Sequence, residues 1–494
     1  MGDERIRATL WLRGECDDRI AAERIAAIGA LPPRSRAYAE PHEIVRELDS
    51  SADARAQVAA FCTKHDIEIV SSGFRSFVTA GTVASYERAF ATTISNFTHG
   101  DSAPFHRRTT ALAAPDAIAP LIRGIFGLDA WPHTMHRASQ VAAPHAADAS
   151  LAAARTARAE LAAQTLRRYN FGQAWTGRGE TIGILRYGGT FDEDDFTACL
   201  VAHGVSATMP EIVTCDDTSR IGRHVETFEG ELALDVQVIA AHAPGARIIL
   251  YTTPHGERGF LDAIARALFD ARRPATFSIS FGYPEYRWTL AALARLDELA
   301  AVAALLGVTL LAASGDAGAE IDEHGNAHVC APASNRYILA CGGTIVDTSG
   351  HESAWPRSGG GFAARGQAPP WQRDALDAYA AHRSEATRTS HGVPDVSAQV
   401  DPGYRMVYRG AATFTTGTSA VAPLWAALVA RLNERLGSRA GFFAPLLYAT
   451  GATNAPLHAI STGGNGTYEA GPGWSPVTGL GVPDGEVLYE RLSH

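Results

Sequence analysis

The stretch Val308-Thr309-Leu310-Leu311-Ala312-Ala313-Ser314-Gly315-Asp316-Ala317-Gly318 carries the main architectural signal of the chain. Val308 to Ala313 is short and almost wholly apolar, the pattern of a strand buried on both faces of a parallel sheet. It ends in a Gly-flanked Asp, where open α/β sheets keep their working groups. Asp316 also reads as an ordinary turn residue. Outward from it, Thr181 to Leu185, Ala246 to Tyr251, Ala275 to Phe281 and Tyr337 to Cys341 are similar apolar runs. Helical patterns such as Phe260 to Phe269 and Leu290 to Leu306 separate them. Alternating strands and helices predict a doubly wound α/β domain with its site at the carboxyl ends of the strands.

The N-terminal part follows another rule. Ile6 to Leu12 alternates like a half-buried strand, and Ala52 to His65 places Val58, Ala59, Phe61 and Cys62 on one side of a helix. Ile67 to Val70 and Phe74 to Thr79 read as strands, Ala84 to Ala91 as a helix, and Thr93 to Phe97 as a last strand. The order is that of a small α+β, ferredoxin-like unit. Between the two regions, Arg137 to Ala163 is Ala-rich and dotted with Arg. It reads as a linker open to proteolytic nicking or as an exposed helix over Ala147 to Ala163.

A length of 494 residues predicts two or three folding units, and 46% hydrophobic against 19% charged residues excludes wholesale disorder. The net charge of -10 makes the chain a poor partner for nucleic acid. No apolar run is long enough to span a membrane, and the charged start Met1-Gly2-Asp3-Glu4-Arg5 lacks the features of a secretory signal. Export by another route, a truncated chain and an internal protein all fit that start. Six scattered cysteines form no C-x-x-C pair, which argues against zinc and against a disulfide framework. They are expected as buried thiols, with a Cys199–Cys215 bridge left open.

The strongest chemical signal is Thr416-Gly417-Thr418-Ser419-Ala420-Val421-Ala422-Pro423, followed by the helical run Leu424 to Leu436. A serine on a Gly turn at a helix start meets free N–H groups that favour an oxyanion; Thr418 or Ser419 as a plain N-cap is the alternative. A nucleophilic serine needs a base, and His203, His242 and His391 sit in unremarkable settings. Glu231 and Asp235, in Gly230-Glu231-Leu232-Ala233-Leu234-Asp235-Val236, are spaced to share one helix face among apolar neighbours. Burial and proximity raise carboxyl pKa values. No Lys or Arg stands between Glu231 and Arg247 to make this a solvated acidic face.

These elements, in this order, resemble the sedolisin (serine-carboxyl peptidase) family in its kumamolisin-like branch. The likeness runs through Ala243-Pro244-Gly245-Ala246, Ser278-Ile279-Ser280-Phe281-Gly282, Ser314-Gly315-Asp316 and Cys341-Gly342-Gly343-Thr344. It continues through Ser358-Gly359-Gly360-Gly361, Val393-Pro394-Asp395-Val396, the Gly-Thr-Ser block, Gly471-Pro472-Gly473-Trp474 and Thr478-Gly479-Leu480-Gly481. The resemblance implies a subtilisin-like doubly wound catalytic domain over 164–494. It implies a prodomain over 1–136 that inhibits the enzyme intramolecularly, and a linker with the processing region over 137–163.

It further implies Ser419 as nucleophile, Glu231 as general base, Asp235 as its support and Asp316 in the oxyanion hole with the Ser419 N–H. A neutral Asp316 donates to an oxyanion and an ionised one repels it, so an acidic working range is expected. The expected activity is that of an acid endopeptidase on polypeptides, monomeric and extracellular or in an acidic compartment. A tripeptidyl exopeptidase and a silent peptide-binding scaffold are the alternatives; a lipase-type hydrolase is disfavoured because no G-x-S-x-G occurs.

Three departures from the family pattern stand out. Arg186 replaces an acidic residue and Phe281 a Trp in the network behind the Glu–Asp pair. The family's calcium site has Ala459 and Ser475 where its Asp ligands belong, leaving the carbonyls of Ile460, Gly471 and Gly473, so weak or absent calcium and no cofactor are expected. An acidic subsite residue of collagen-cleaving relatives falls near Cys330, so their preference is not carried over.

Overall fold

The apolar runs lie side by side in one eight-stranded sheet. The computed structural model describes residues 3–15, 18–97, 105–129, 159–172, 174–216, 226–384, 388–449 and 456–493. From one edge the strand order is Glu352–Ala354, Leu339–Val346, Thr309–Ala313, Thr276–Ile279, Thr181–Arg186, Arg247–Thr252 and Glu211–Thr214. Val396–Asp401 also pairs with Leu339–Val346, and only Glu352–Ala354 runs antiparallel.

Successive side chains leave opposite faces of each strand. Ile182, Ile184, Ile248, Leu250 and Leu311 pack on one face against the helices Glu226–His242 and Thr418–Leu436. Leu185, Ile249, Tyr251, Phe277 and Leu310 pack on the other, in one cluster with residues of the helices Glu257–Leu268 and Leu290–Leu306. That is the doubly wound arrangement. The sequence runs locate five of these strands with ends displaced by a few residues; Leu339–Val346 reaches furthest beyond its run.

The N-terminal unit has a four-stranded antiparallel sheet in the order Glu68–Gly73, Ser76–Thr82, Arg5–Leu12, Ile122–Phe126, with helices Ala52–Lys64 and Val83–Phe90 between strands. This is the ferredoxin-like order, with one correction. Ile94–Phe97 is not its last strand: it pairs with Phe105–Arg108 in a separate two-stranded sheet, and Ile122–Phe126 takes the fourth place beside Arg5–Leu12. Helices Asp18–Gly29 and Pro41–Leu48 are further additions; a reciprocal Glu40/Glu43 box caps the second. Most of 137–163 lies outside the described residues. Glu160 already bridges to Tyr404, and the helix there covers Ala162–Arg168.

The two units share one apolar cluster. Trp11, Ile25, Ile44, Phe74 and Phe126 join Phe260, Leu293, Leu296 and Ala300. The rim is ionic. Glu298 takes the Trp11 indole N–H (3.0 Å) and the guanidinium groups of Arg75 and Arg295. Arg273 forks onto Glu40 at 2.7 and 3.1 Å, and Thr9 Oγ1 donates to Asp262 (2.8 Å). Arg36 donates to the carbonyls of Ala440 (2.7 Å) and Phe442 (2.6 Å). The N-terminal unit thus docks on the helical layer formed by Glu257–Leu268 and Leu290–Leu306.

Candidate active site

Ser419 is the second residue of the helix Thr418–Leu436, and its N-cap is Gly417 with no side-chain capping bond. The plain N-cap reading of Thr418 or Ser419 therefore fails. Gly417 has φ +103°, a backbone open to glycine, and that turn delivers the serine directly into the first helical turn. The Ala420 N–H closes back on the Gly417 carbonyl (3.0 Å), and the Ser419 N–H lies ahead of the regular helical ladder.

Asp316 follows the strand Thr309–Ala313, on a turn where Gly315 has φ +115° and an added Cβ would meet Cys330 Sγ at 3.1 Å. Its Oδ1 accepts from the Thr418 N–H (2.8 Å) and from Thr418 Oγ1 (2.7 Å), while the Gly315 N–H donates to Thr418 Oγ1 (3.1 Å). Thr418 thereby locks the Asp316 turn to the start of the serine helix. The sequence offered Thr418 as an N-cap and not as the tie to Asp316.

Glu231 and Asp235 lie on the helix Glu226–His242, 2% and 1% exposed. Ser280 Oγ donates to Asp235 Oδ1 at 2.6 Å and lies 3.2 Å from the Ser419 carbonyl oxygen. Ser419 Oγ donates to the Ser280 carbonyl at 3.3 Å. Glu231 Oε1 is buried and has no hydrogen-bond partner. Burial first, and then the Asp235 charge, push the Glu231 carboxyl well above its ordinary range; the Ser419 hydroxyl opposes the shift and the Asp316 charge adds to it. Burial likewise raises Asp235, opposed by the Ser280 hydrogen bond. Ser419, Glu231, Asp235 and Asp316 thus converge at the carboxyl ends of the central strands, with Ser280 in their midst.

The histidines stand elsewhere. His242 is bonded to the Val238 carbonyl (2.8 Å), with burial holding its pKa down at about 3; His203 bridges Ala162 N and the Arg405 carbonyl, and His391 contacts the Ser334 carbonyl.

A family model described as "Pro-kumamolisin, activation domain" matches residues 30–131. Kumamolisin from Bacillus sp. (strain MN-32) is 35% identical over 99% of this chain and 92% of its own length. The chain belongs to the sedolisin family of serine-carboxyl peptidases. Tripeptidyl-peptidase 1 of Homo sapiens is 28% identical over 53% of this chain and 51% of its own. Among solved structures, Pseudomonas sedolisin complexed with two molecules of pseudo-iodotyrostatin matches with a TM-score of 0.59 at 24% identity. It covers 68% of this chain and 98% of that one, which bears on the fold alone.

Family membership gives the departures their context. Arg186 turns away from the pair: it donates to the carbonyls of Gly188 (2.9 Å) and Gly189 and approaches Thr252 Oγ1 (3.4 Å). The leading charges on Glu231 are those of Asp235 and Asp316, while the Arg186 guanidinium is bonded to backbone carbonyls. Phe281 packs with Tyr187 (4.8 Å between ring centres) and Phe228 (6.0 Å).

At the family's calcium position Ala459 offers no side-chain oxygen. Ser475 Oγ is committed to Thr478 Oγ1 (3.0 Å) and the Thr478 N–H (3.2 Å). The carbonyls of Ile460, Gly471 and Gly473 would form an uncharged donor set, which does not suit a hard dication. Among the described residues no His, Cys, Asp or Glu cluster suits a metal. Cys199 and Cys215 are both free thiols, so that open bridge is not formed. No described helix is long and apolar enough to cross a membrane.

Proposed function

We propose that this chain is the zymogen of an acid-acting endopeptidase that cleaves polypeptides through an acyl-enzyme on Ser419. Glu231 takes the Ser419 proton as the hydroxyl oxygen attacks the peptide carbonyl, and then returns it to the leaving amine. Water repeats the exchange to free the acid product. Asp235 carries the proton that lets its neighbour ionise, because two carboxyls this close do not both ionise readily. A neutral Asp316 and the Ser419 N–H donate to the oxyanion. The observation that carries this reading is the buried, unpartnered Glu231 Oε1 beside the serine hydroxyl, with His203, His242 and His391 bonded elsewhere.

Asp316 accepts two bonds from Thr418 on one oxygen, which holds its carboxyl at the start of the serine helix, and in its neutral form it donates to the oxyanion. The rate should fall toward neutral pH, as the pair loses its shared proton and Asp316 its donor form. The N-terminal unit acts as an intramolecular inhibitor, and the enzyme works outside the cell or in an acidic compartment without tightly bound calcium.

Ser419→Ala should abolish hydrolysis of an internally quenched peptide and, on incubation near pH 4 (about where free carboxyls titrate), self-processing followed by mass analysis. Processing at the normal rate in that variant, or full activity in alkaline buffer, would overturn the proposal. Cleavage inside a blocked peptide separates an endopeptidase from a tripeptidyl exopeptidase. The likeness to kumamolisin over nearly the whole chain, against half the chain for tripeptidyl-peptidase 1, supports the former.

A further inference from the structure

The Ser280 hydroxyl stands between two acceptors and has one hydrogen to give. Asp235 Oδ1 is at 2.6 Å and the Ser419 carbonyl oxygen at 3.2 Å. In a regular helix the Ser419 carbonyl would accept from the N–H four residues on. That residue is Pro423, inside the helix and without an N–H. The proline leaves the carbonyl of the serine residue open, deep in the core, and the Ser280 hydroxyl is the side-chain donor beside it.

We propose that Ser280 is a positioning residue for the reaction, a two-position hydroxyl that follows the protonation of Asp235 and ties it to the helix bearing Ser419. With Asp235 ionised, the Ser280 O–H donates to Oδ1. With the proton on Oδ1, Asp235 donates to Ser280 Oγ, and the Ser280 hydrogen turns to the Ser419 carbonyl. No bond beyond hydrogen bonds changes, and neither state strands a buried donor. The pair can therefore hold or release its proton without a move of the backbone. The main-chain carbonyl of Ser280 also receives the Ser419 hydroxyl at 3.3 Å, so one residue orients both the nucleophile and the support of its base.

Among the described residues, Glu231 lies on the same helix and interacts with the Asp235 charge, and Asp316 acts on Glu231 from the strand end, whereas Arg186 on the neighbouring strand is bonded to Gly188 and Gly189. The Ser280 bond favours the ionised form of Asp235, in keeping with the geometry.

This inference rests on the catalytic reading above, and two substitutions test it with opposite signs. Ser280→Ala removes the donor to ionised Asp235. It should lower kcat/KM by about tenfold to a hundredfold, mostly in kcat. It should also move the acid limb of the pH profile upward by about half a unit or more. Pro423→Ala restores an N–H for the Ser419 carbonyl, weakens the protonated arrangement, and should move the same limb downward. Ser280→Thr, which keeps a hydroxyl, should return the limb toward the wild-type position. A uniform loss of rate in Ser280→Ala with an unmoved limb, or limbs moving the same way in Ser280→Ala and Pro423→Ala, would overturn the proposal. Circular dichroism confirms that each variant is folded before its profile is read. Full activity in Glu231→Gln would instead overturn the catalytic reading itself, so the two failures are told apart.

Discussion

Removing the Glu298 carboxylate should loosen the N-terminal unit more than any other single change at its docking surface. The group is 9% exposed and receives Arg75 and Trp11 from the N-terminal unit and Arg295 from its own helix, with Arg123 at 3.8 Å. Arg75 and Arg295 are each 4% exposed, so Glu298→Ala leaves two buried guanidinium groups without their anion. Breaking a buried pair from one side costs about 3–5 kcal/mol. Both arginines keep a backbone acceptor, Leu48 O for Arg75 and Phe74 O for Arg295, which places the cost at the lower end, about 3 kcal/mol. At about 1.4 kcal/mol per factor of ten, the docking equilibrium weakens by about a hundredfold. The full-length chain is shifted from neutral buffer to acid, and the lag before a quenched peptide is hydrolysed is timed. In a Ser419→Ala background, tryptic digestion of the N-terminal unit at neutral pH reports the same opening without autolysis. A lag and a digestion rate both within about twofold of the parent would refute the argument, since about 3 kcal/mol cannot be hidden at that scale.

Two further outcomes follow from the burial of the site. Burial raises the folded-state pKa of Asp235, so its neutral form stabilises the fold. That contribution is complete below the pKa of an unfolded Asp and is lost as pH rises through the folded value. In a Ser419→Ala background, Asp235→Asn should therefore melt higher than its parent at neutral pH, with the gain shrinking in acid; a lower melting point at neutral pH would contradict it. Calcium chelation should leave the melting temperature within about 1 °C, because ligand-linked stabilisation needs a site that binds. A clear loss with chelator, reversed by added calcium, would restore the carbonyl cage at Ile460, Gly471 and Gly473.

Much of the fold could be read because buried parallel strands have no solvent side to make them alternate. Thr181–Arg186, Arg247–Thr252 and Thr309–Ala313 each appear in the chain as bare apolar runs. The Glu–Asp pair was readable for a similar reason: helical spacing fixes their shared face before any tertiary contact exists. The fourth strand of the N-terminal sheet was not. Ile122–Phe126 and Ile94–Phe97 are both short, five and four residues, and only the long-range partner Arg5–Leu12 decides between them. Helix Pro41–Leu48 did carry a local signature, a Pro at its first position with Glu40 and Glu43 reciprocally capping. Ser280 lies 139 residues from Ser419, and nothing local marks its hydroxyl apart from that of Ser278. Pro423 was visible from the start, but its effect depends on which donor the fold brings to the carbonyl it leaves open.

The breadth of the contact between the two units separates cutting the chain from opening it. The contacts of Trp11, Phe74 and Phe126, and the fork of Arg273 on Glu40, do not run through the intervening segment. A nick in that segment should therefore leave the two units docked. Once the tether is gone, release becomes a true dissociation, favoured by dilution and reversed by crowding. On the proposed reading, the detached fragment would then inhibit any neighbouring copy of the enzyme that rebinds it.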